Sequence, residues 1–220
     1  MAPHHGTRNT EHGTPTPLLP PTALDLIVQL LCEKRLAVFP TETVYGIGCL
    51  AEDESAVADL YAAKGRDFRA ALPVMVASTA QIEQVARPLP GLDRLAERFW
   101  PGPLTIVLPK QPWLPLLVTA GGDTVGVRIP DHPLALAILQ RVGRPLAVSS
   151  ANLSGQPPAR TAAQALAQLD GRVDVILDGG EAPGGQASTV FDLTTNPPRI
   201  LRQGPVSAGE IGDCLGVALV

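Results

Sequence analysis

Positive charge is scarce in this chain, and its placement suggests chemistry. The only lysines are Lys34, Lys64 and Lys110, so arginine carries most of the cationic charge, and its planar fork suits carboxylate and phosphate. Lys64 and Arg66 stand two residues apart with Arg69 close behind. A triphosphate needs such a concentration, although a helix C-terminus would favour the same pair through its dipole alone. Ser149-Ser150-Ala151-Asn152 offers hydroxyl and amide donors at the end of an apolar run. Donors of this type hold phosphate or carboxylate oxygens, and a plain polar turn has the same composition. Pro40-Thr41-Glu42-Thr43-Val44-Tyr45-Gly46 would line a cleft with hydroxyls and backbone N–H groups, or else is an ordinary turn. Arg128 sits within the β-rich run Val125 to Ile129, where it must meet an anion or point to solvent. The loop Gly179 to Gln186, with two Gly-Gly pairs, reads as a flexible lid or a long turn. Arg202, after Ile200-Leu201, either returns a cation to the cleft or faces water.

Familiar signatures are missing. There is no GxxxxGKS/T phosphate loop, no GxGxxG fingerprint, no GxSxG elbow, no HExxH and no clear catalytic triad. The residues alone therefore support an anion- or nucleotide-binding α/β enzyme.

The elements that must position these groups follow from periodicity. Thr22 with Asp25 resembles a helix N-cap ahead of Leu24, Ile27, Val28 and Leu31 at helical spacing. Leu36 to Phe39 reads as a buried strand stopped by Pro40. Ser55 to Lys64 reads as a helix that Gly65 terminates. Leu72 to Ala77 reads as a strand, with helical stretches at Thr79 to Ala86 and Gly91 to Trp100. Leu104 to Leu108 and Thr124 to Ile129 are β-rich, and Asp131 is placed to cap a helix with Pro133 in its first turn. Leu146 to Ser149 is a strand and Thr161 opens a helix. Val173 to Leu177, Ser188 to Leu193 and Arg199 to Leu201 are strands, and Ser207 with Glu210 makes a capping box for a last helix. The alternation predicts one α/β domain with helices on both faces of a mixed sheet.

At 220 residues and 45% hydrophobic content the chain can bury a core, and with 4% aromatics that core is aliphatic. The net charge of -4 argues against a general nucleic-acid coat protein. Cys32, Cys49 and Cys214 lie far apart and are expected to be buried free thiols in a reducing compartment. No apolar run has membrane-spanning length and no signal-peptide core is visible, so a cytoplasmic location is expected. Residues 1–20, rich in Pro, Thr, His and Gly, read as a disordered extension, with residues 21–220 as the folded catalytic domain. His4, His5 and His12 within the extension are expected to be solvated rather than metal-binding.

Taken together, the motifs resemble the threonylcarbamoyl-AMP synthase family (the YrdC-like domain). They run in order as Phe39 to Gly48, Lys64-Gly65-Arg66, Trp100-Pro101-Gly102-Pro103-Leu104-Thr105 and Val127-Arg128-Ile129-Pro130. Ser150 to Gly155, Asp178-Gly179-Gly180, Ser188-Thr189-Val190 and Ile200-Leu201-Arg202 complete the series. The resemblance implies a three-layer α+β fold, a twisted mixed sheet and a concave, positively charged groove. It implies L-threonine, bicarbonate or CO2, and ATP with Mg2+ as substrates, for threonylcarbamoyl modification of adenosine 37 in tRNAs reading ANN codons. Partner proteins of tRNA modification would complete that reaction, and direct RNA binding is a further implied property.

By the same resemblance Lys64, Arg66, Ser150 and Asn152 would be catalytic, and Thr43, Arg128, Ser150 and Ser188 would hold threonine. Arg66, Thr124, Asn152, Arg160 and Arg202 would meet ATP, and the protein itself would supply no metal ligand. The chain departs from the family at Arg69-Ala70-Ala71-Leu72-Pro73-Val74-Met75. Related sequences often place Asn or Lys with Pro-Leu after the Lys-x-Arg pair, and a His where Met75 stands. Longer members add a C-terminal domain for which this chain has no room. Two rival readings are a double-stranded-RNA-binding module without turnover and a carbamoyl- or acyl-adenylating enzyme with another acceptor.

Overall fold

The computed structural model describes residues 14–217. Along the chain run β1 (Leu18–Leu19), α1 (Leu24–Cys32), β2 (Ala37–Phe39), β3 (Gly46–Leu50), α2 (Glu54–Lys64) and β4 (Val74–Met75). Then come α3 (Ile82–Val85), α4 (Leu92–Phe99), β5 (Leu104–Pro109), β6 (Thr124–Arg128), α5 (Pro133–Val142) and β7 (Leu146–Ser150). The chain finishes with α6 (Ala162–Leu169), β8 (Val175–Leu177), β9 (Thr189–Asp192), β10 (Arg199–Arg202) and α7 (Ala208–Leu215). The strands form one mixed sheet in the order β1-β8-β2-β3-β7-β4-β6-β5-β9-β10. This is the expected α+β arrangement.

Side chains alternate between the faces of a strand, and that alternation builds three layers. On one face, Ile47 and Cys49 of β3, Ala147 of β7, Leu104, Ile106 and Leu108 of β5, Val125 and Val127 of β6, and Phe191 of β9 share a core. Residues of α2, α3, α4, α6 and α7 close over it from Ala56 through Ile211. The other face is covered differently. Phe39, Leu50, Leu146, Val148, Val175 and Leu177 pack against Ile27 and Leu31 of α1 and Ile138 and Leu139 of α5. No residue of β5, β6, β9 or β10 belongs to that second core. Half of the second face is therefore bare, and there the groove forms.

Local signals set the ends of several helices. Asp53 caps α2 and Gly65, at φ 58°, ends it. Thr161 caps α6, and Ser207 with Glu210 forms the expected capping box of α7. Two expected caps are corrected. Thr22 lies in a single 3-10 turn, Pro21–Ala23, and Ala23 at the N-cap of α1 gives no side-chain bond. His132, not Asp131, caps α5, its ring accepting from the Leu134 N–H.

Residues 14–20, expected within the disordered extension, are instead held against the domain. Thr16 is buried, its N–H donating to Asp170 Oδ1 at 2.8 Å and its hydroxyl to the Val173 carbonyl at 3.1 Å. Leu18–Leu19 then adds a parallel strand to β8. Such pinning by distant residues leaves no local periodicity. Residues 1–13, with His4, His5 and His12, lie outside the described residues. All three cysteines are free, but only Cys49 is buried, since Cys32 is exposed and Cys214 half-buried. Among the described residues no helix is long and apolar enough to cross a membrane.

Candidate active site

A cavity of about 320 Å³ occupies the bare half of the sheet. Its floor is the face that α1 and α5 leave open: Thr124, Gly126 and Arg128 of β6, Thr105 and Val107 of β5, and Val190 of β9. Their odd-spaced neighbours Val125, Val127, Leu104, Ile106 and Phe191 point into the opposite core. One strand period thus makes a hydrophobic layer and a polar floor at once. Gly126 keeps the floor low, because a Cβ there would stand 2.9 Å from Thr105 Cγ2.

A register shift aims one cation. Ile200 pairs with Phe191, but Arg202 then pairs with Val190, one residue out of step. Regular pairing would set Arg202 opposite Thr189, on the closed side of the sheet. The bulge places it opposite Val190, beside the cavity that both residues border.

Arg128, the last residue of β6, borders the cavity. Its side chain is 5% exposed, and the partner it must find is Glu42, with Nη2 to Oε1 at 2.5 Å. Nη2 also donates to Thr43 Oγ1 at 3.1 Å, and Nε donates to the Gly102 carbonyl at 3.1 Å. Three of five guanidinium donors are committed to protein, which leaves Nη1 for a ligand. Thr43 and Thr41 join hydroxyls at 2.9 Å, and Ser188 and Thr105 at 2.8 Å. All four hydroxyl residues line the cavity, whereas Glu42 is not among its lining residues.

Arg66 and Arg202 border the cavity without a carboxylate partner among the described residues. Arg66 donates to the carbonyls of Ala70 and Ala71, each at 3.0 Å. Arg202 donates to the Ser188 carbonyl at 2.9 and 3.1 Å. Loss of water around its guanidinium, and then the charges of Arg128 and Arg66, lower the Arg202 pKa. Arg202 thus feels both neighbouring cations, a concentration of positive charge suited to an anion.

Seven of the ten expected residues therefore border one cavity: Thr43, Arg66, Thr124, Arg128, Ser150, Ser188 and Arg202. Three do not. Lys64 is 2% exposed, and its ammonium donates to the carbonyls of Ser150 and of Asn152, the latter at 2.6 Å. The Ser154 N–H returns a bond to the Lys64 carbonyl at 2.8 Å. Burial, then the Arg66 charge, pushes the Lys64 pKa down to about 7. Lys64 thus ties α2 to the Ser150–Asn152 turn instead of reaching into the cavity.

Asn152 faces inward, its amide donating to the Leu153 and Gln156 carbonyls at 2.7 and 2.8 Å. Its Oδ1 is buried without a hydrogen bond. Arg160 lies off the cavity and pairs with Glu181 at 2.8 Å. Of the two departures from the family pattern, Met75 lines the cavity and Ala70 does not; Met75 and Ala71 make the wall apolar there.

The Gly179 to Gln186 loop is strapped down. Gly180 O accepts from the Tyr45 hydroxyl at 2.6 Å, and Gly184 and Gly185 N–H groups donate to the carbonyls of Glu42 and Thr43. It is a fixed strap, not a flexible lid. Sequence reasoning missed Glu42 as the partner of Arg128; the signal available was a carboxylate between two threonines in the same motif.

Fold and site together define an α+β protein with a polar, cation-edged cavity on the open half of its sheet. Residues 29–204 match the Sua5/yciO/yrdC family model, described as telomere recombination, and the chain belongs to that family. It is 45% identical over 185 residues to the threonylcarbamoyl-AMP synthase of Pyrococcus abyssi, covering 84% of this chain and 54% of that protein. A putative threonylcarbamoyl-AMP synthase of Mycobacterium tuberculosis is 46% identical over 184 residues, 83% of this chain and 84% of that one. The crystal structure of P. abyssi Sua5 complexed with L-threonine superposes with a TM-score of 0.89 at 40% identity, covering 94% of this chain and 63% of that chain. The chain thus spans about half the length of the P. abyssi relative.

Proposed function

We propose that this chain makes L-threonylcarbamoyladenylate from L-threonine, bicarbonate or CO2, and ATP, releasing pyrophosphate. The observation that carries the reading is a single cavity bordered by a buried, carboxylate-paired Arg128 and by Arg66 and Arg202, which have no carboxylate partner among the described residues. A small zwitterion and a polyphosphate need those two environments side by side. The name of the curated relatives and the threonine bound to the P. abyssi neighbour support the choice of substrates.

The amine of threonine adds to CO2, forming the N–C bond of a carbamate and losing a proton. A carbamate oxygen then attacks the α-phosphorus, the bond from that phosphorus to the bridging oxygen breaks, and pyrophosphate leaves. No protein nucleophile is needed. Nη1 of Arg128 would take the threonine carboxylate, with Thr43, Ser150 and Ser188 around it. Arg66 and Arg202 would stabilise charge on the phosphates, with Thr124 on the floor beneath. Lys64 and Asn152 would act by holding the Ser150 turn in place. Mg2+ would arrive on the nucleotide, held by phosphate oxygens and water. Among the described residues no three His, Cys, Asp or Glu come together to hold a metal.

The activated threonylcarbamoyl group would pass, through partner proteins in the cytoplasm, to N6 of adenosine 37 in tRNAs reading ANN codons. Pyrophosphate release from ATP, threonine and bicarbonate tests the reading, with mass spectrometry of the product. Turnover that persists when threonine is omitted would instead assign another acceptor. Tight, salt-sensitive RNA binding without turnover would assign an RNA-binding module.

A further inference from the structure

The three arginines that border the cavity differ in one respect. Arg66 and Arg202 are held by backbone carbonyls and by the neutral hydroxyls of Tyr61 and Ser188, which orient a guanidinium without cancelling its charge. Arg128 alone is paired with a carboxylate among the described residues. Its partner is itself fixed. The Glu42 carbonyl accepts from the Gly184 N–H at 2.9 Å, and a Cβ on Gly184 would approach that oxygen to 2.7 Å. The Glu42 side chain is 16% exposed, and its second oxygen, Oε2, is buried without a hydrogen bond. Leaving a carboxylate oxygen so poorly satisfied is costly, and packing does not require it, since a glutamine of the same shape would fill the space.

Charge supplies a reason. Three neighbouring guanidiniums would make the whole cavity a polyanion trap, and phosphates would compete with an amino acid for Arg128. The Arg128–Glu42 pair is neutral overall, which matches a zwitterion, whereas Arg66 and Arg202 stay cationic.

Resting on the threonine-and-ATP reading above, we infer that Glu42 is a specificity-determining residue: by neutralising Arg128 it reserves that end of the cavity for the amino acid and confines polyphosphate to Arg66 and Arg202. It acts through Arg128 and is not catalytic. The division also keeps the reacting carbamate and the α-phosphorus in separate, adjoining subsites.

The test is calorimetric titration of threonine into the full chain, with and without saturating inorganic pyrophosphate. In the wild type, pyrophosphate leaves the threonine Kd nearly unchanged. In Glu42→Gln, which keeps shape but removes the charge, pyrophosphate becomes a competitor and raises the threonine Kd by about 10-fold or more, the scale of a close charge pair. Glu42→Asp retains the charge and restores most of the wild-type independence. Equal behaviour of Glu42→Gln and the wild type overturns the inference, as does an equal loss in Glu42→Gln and Glu42→Asp, which would show that shape alone matters. If the wild type binds neither threonine nor pyrophosphate, the functional reading itself fails, an outcome distinct from a failure of Glu42.

Discussion

The two halves of one sheet face have opposite fates. Over β8, β2, β3 and β7, α1 and α5 bury Phe39, Leu50, Leu146, Val148, Val175 and Leu177. Over β6, β5 and β9 the same face carries Thr124, Gly126, Arg128, Thr105 and Val190, and no helix covers it. The far face is apolar along the full width. Stability is therefore invested in one complete layer and half of another, and the missing half-layer is the candidate site. Covering it would gain burial and lose function.

Mutations on either side should separate stability from activity. On the covered half, Ile138→Ala removes a fully buried side chain between α5 and the sheet. Denaturant unfolding should show a loss of about 2–5 kcal/mol, with turnover per folded molecule retained. On the open half, Arg66→Ala should cut pyrophosphate release by ~100-fold or more and leave the melting temperature nearly unchanged, because the side chain is partly exposed and has no carboxylate partner among the described residues. Near-normal turnover would remove Arg66 from the nucleotide end.

The boundary between the halves gives a finer test. Ser150 faces the cavity while Asn152, two residues on, faces the protein. Ser150→Ala should weaken substrate binding and leave unfolding unaltered. Asn152→Ala breaks two partly buried hydrogen bonds and should cost about 1–3 kcal/mol of stability, seen as a lowered melting temperature. Equal effects of the two would erase the distinction between cavity and support.

The support beneath the boundary should also show a pH dependence. Burial holds the Lys64 pKa at about 7 against 10.5 for a free lysine. Between those values the unfolded chain binds more protons, so the Lys64 contribution makes stability rise with pH from about 7 to 10.5, and its cost is fully present below 7. Lys64→Met should flatten that rise in denaturation curves taken across the range. Parallel curves for the two proteins would show that the ammonium is not desolvated.

Much of this division was legible in the sequence. The capping box Ser207–Glu210, the Gly65 stop and the β-rich runs of β5 and β6 are local signals, and they mark the elements well. The ordered motifs also named seven cavity residues. What escaped was set at long range. β3, Gly-Ile-Gly-Cys-Leu, has two glycines that weaken strand propensity, and its place is fixed by pairing with β7. β1 has two residues and depends on β8. The inward turn of Lys64 and the Glu42–Arg128 pair join positions 86 or more residues apart, a relation that no local spacing reveals.

The central claim is that amino acid and triphosphate occupy adjoining ends of this one cavity. A crystal structure with threonine and a non-hydrolysable ATP analogue tests it most directly. The threonine carboxylate is expected on Nη1 of Arg128 and the phosphates on Arg66 and Arg202. Phosphates seated on Arg128, or either ligand bound outside the open half of the sheet, would contradict it.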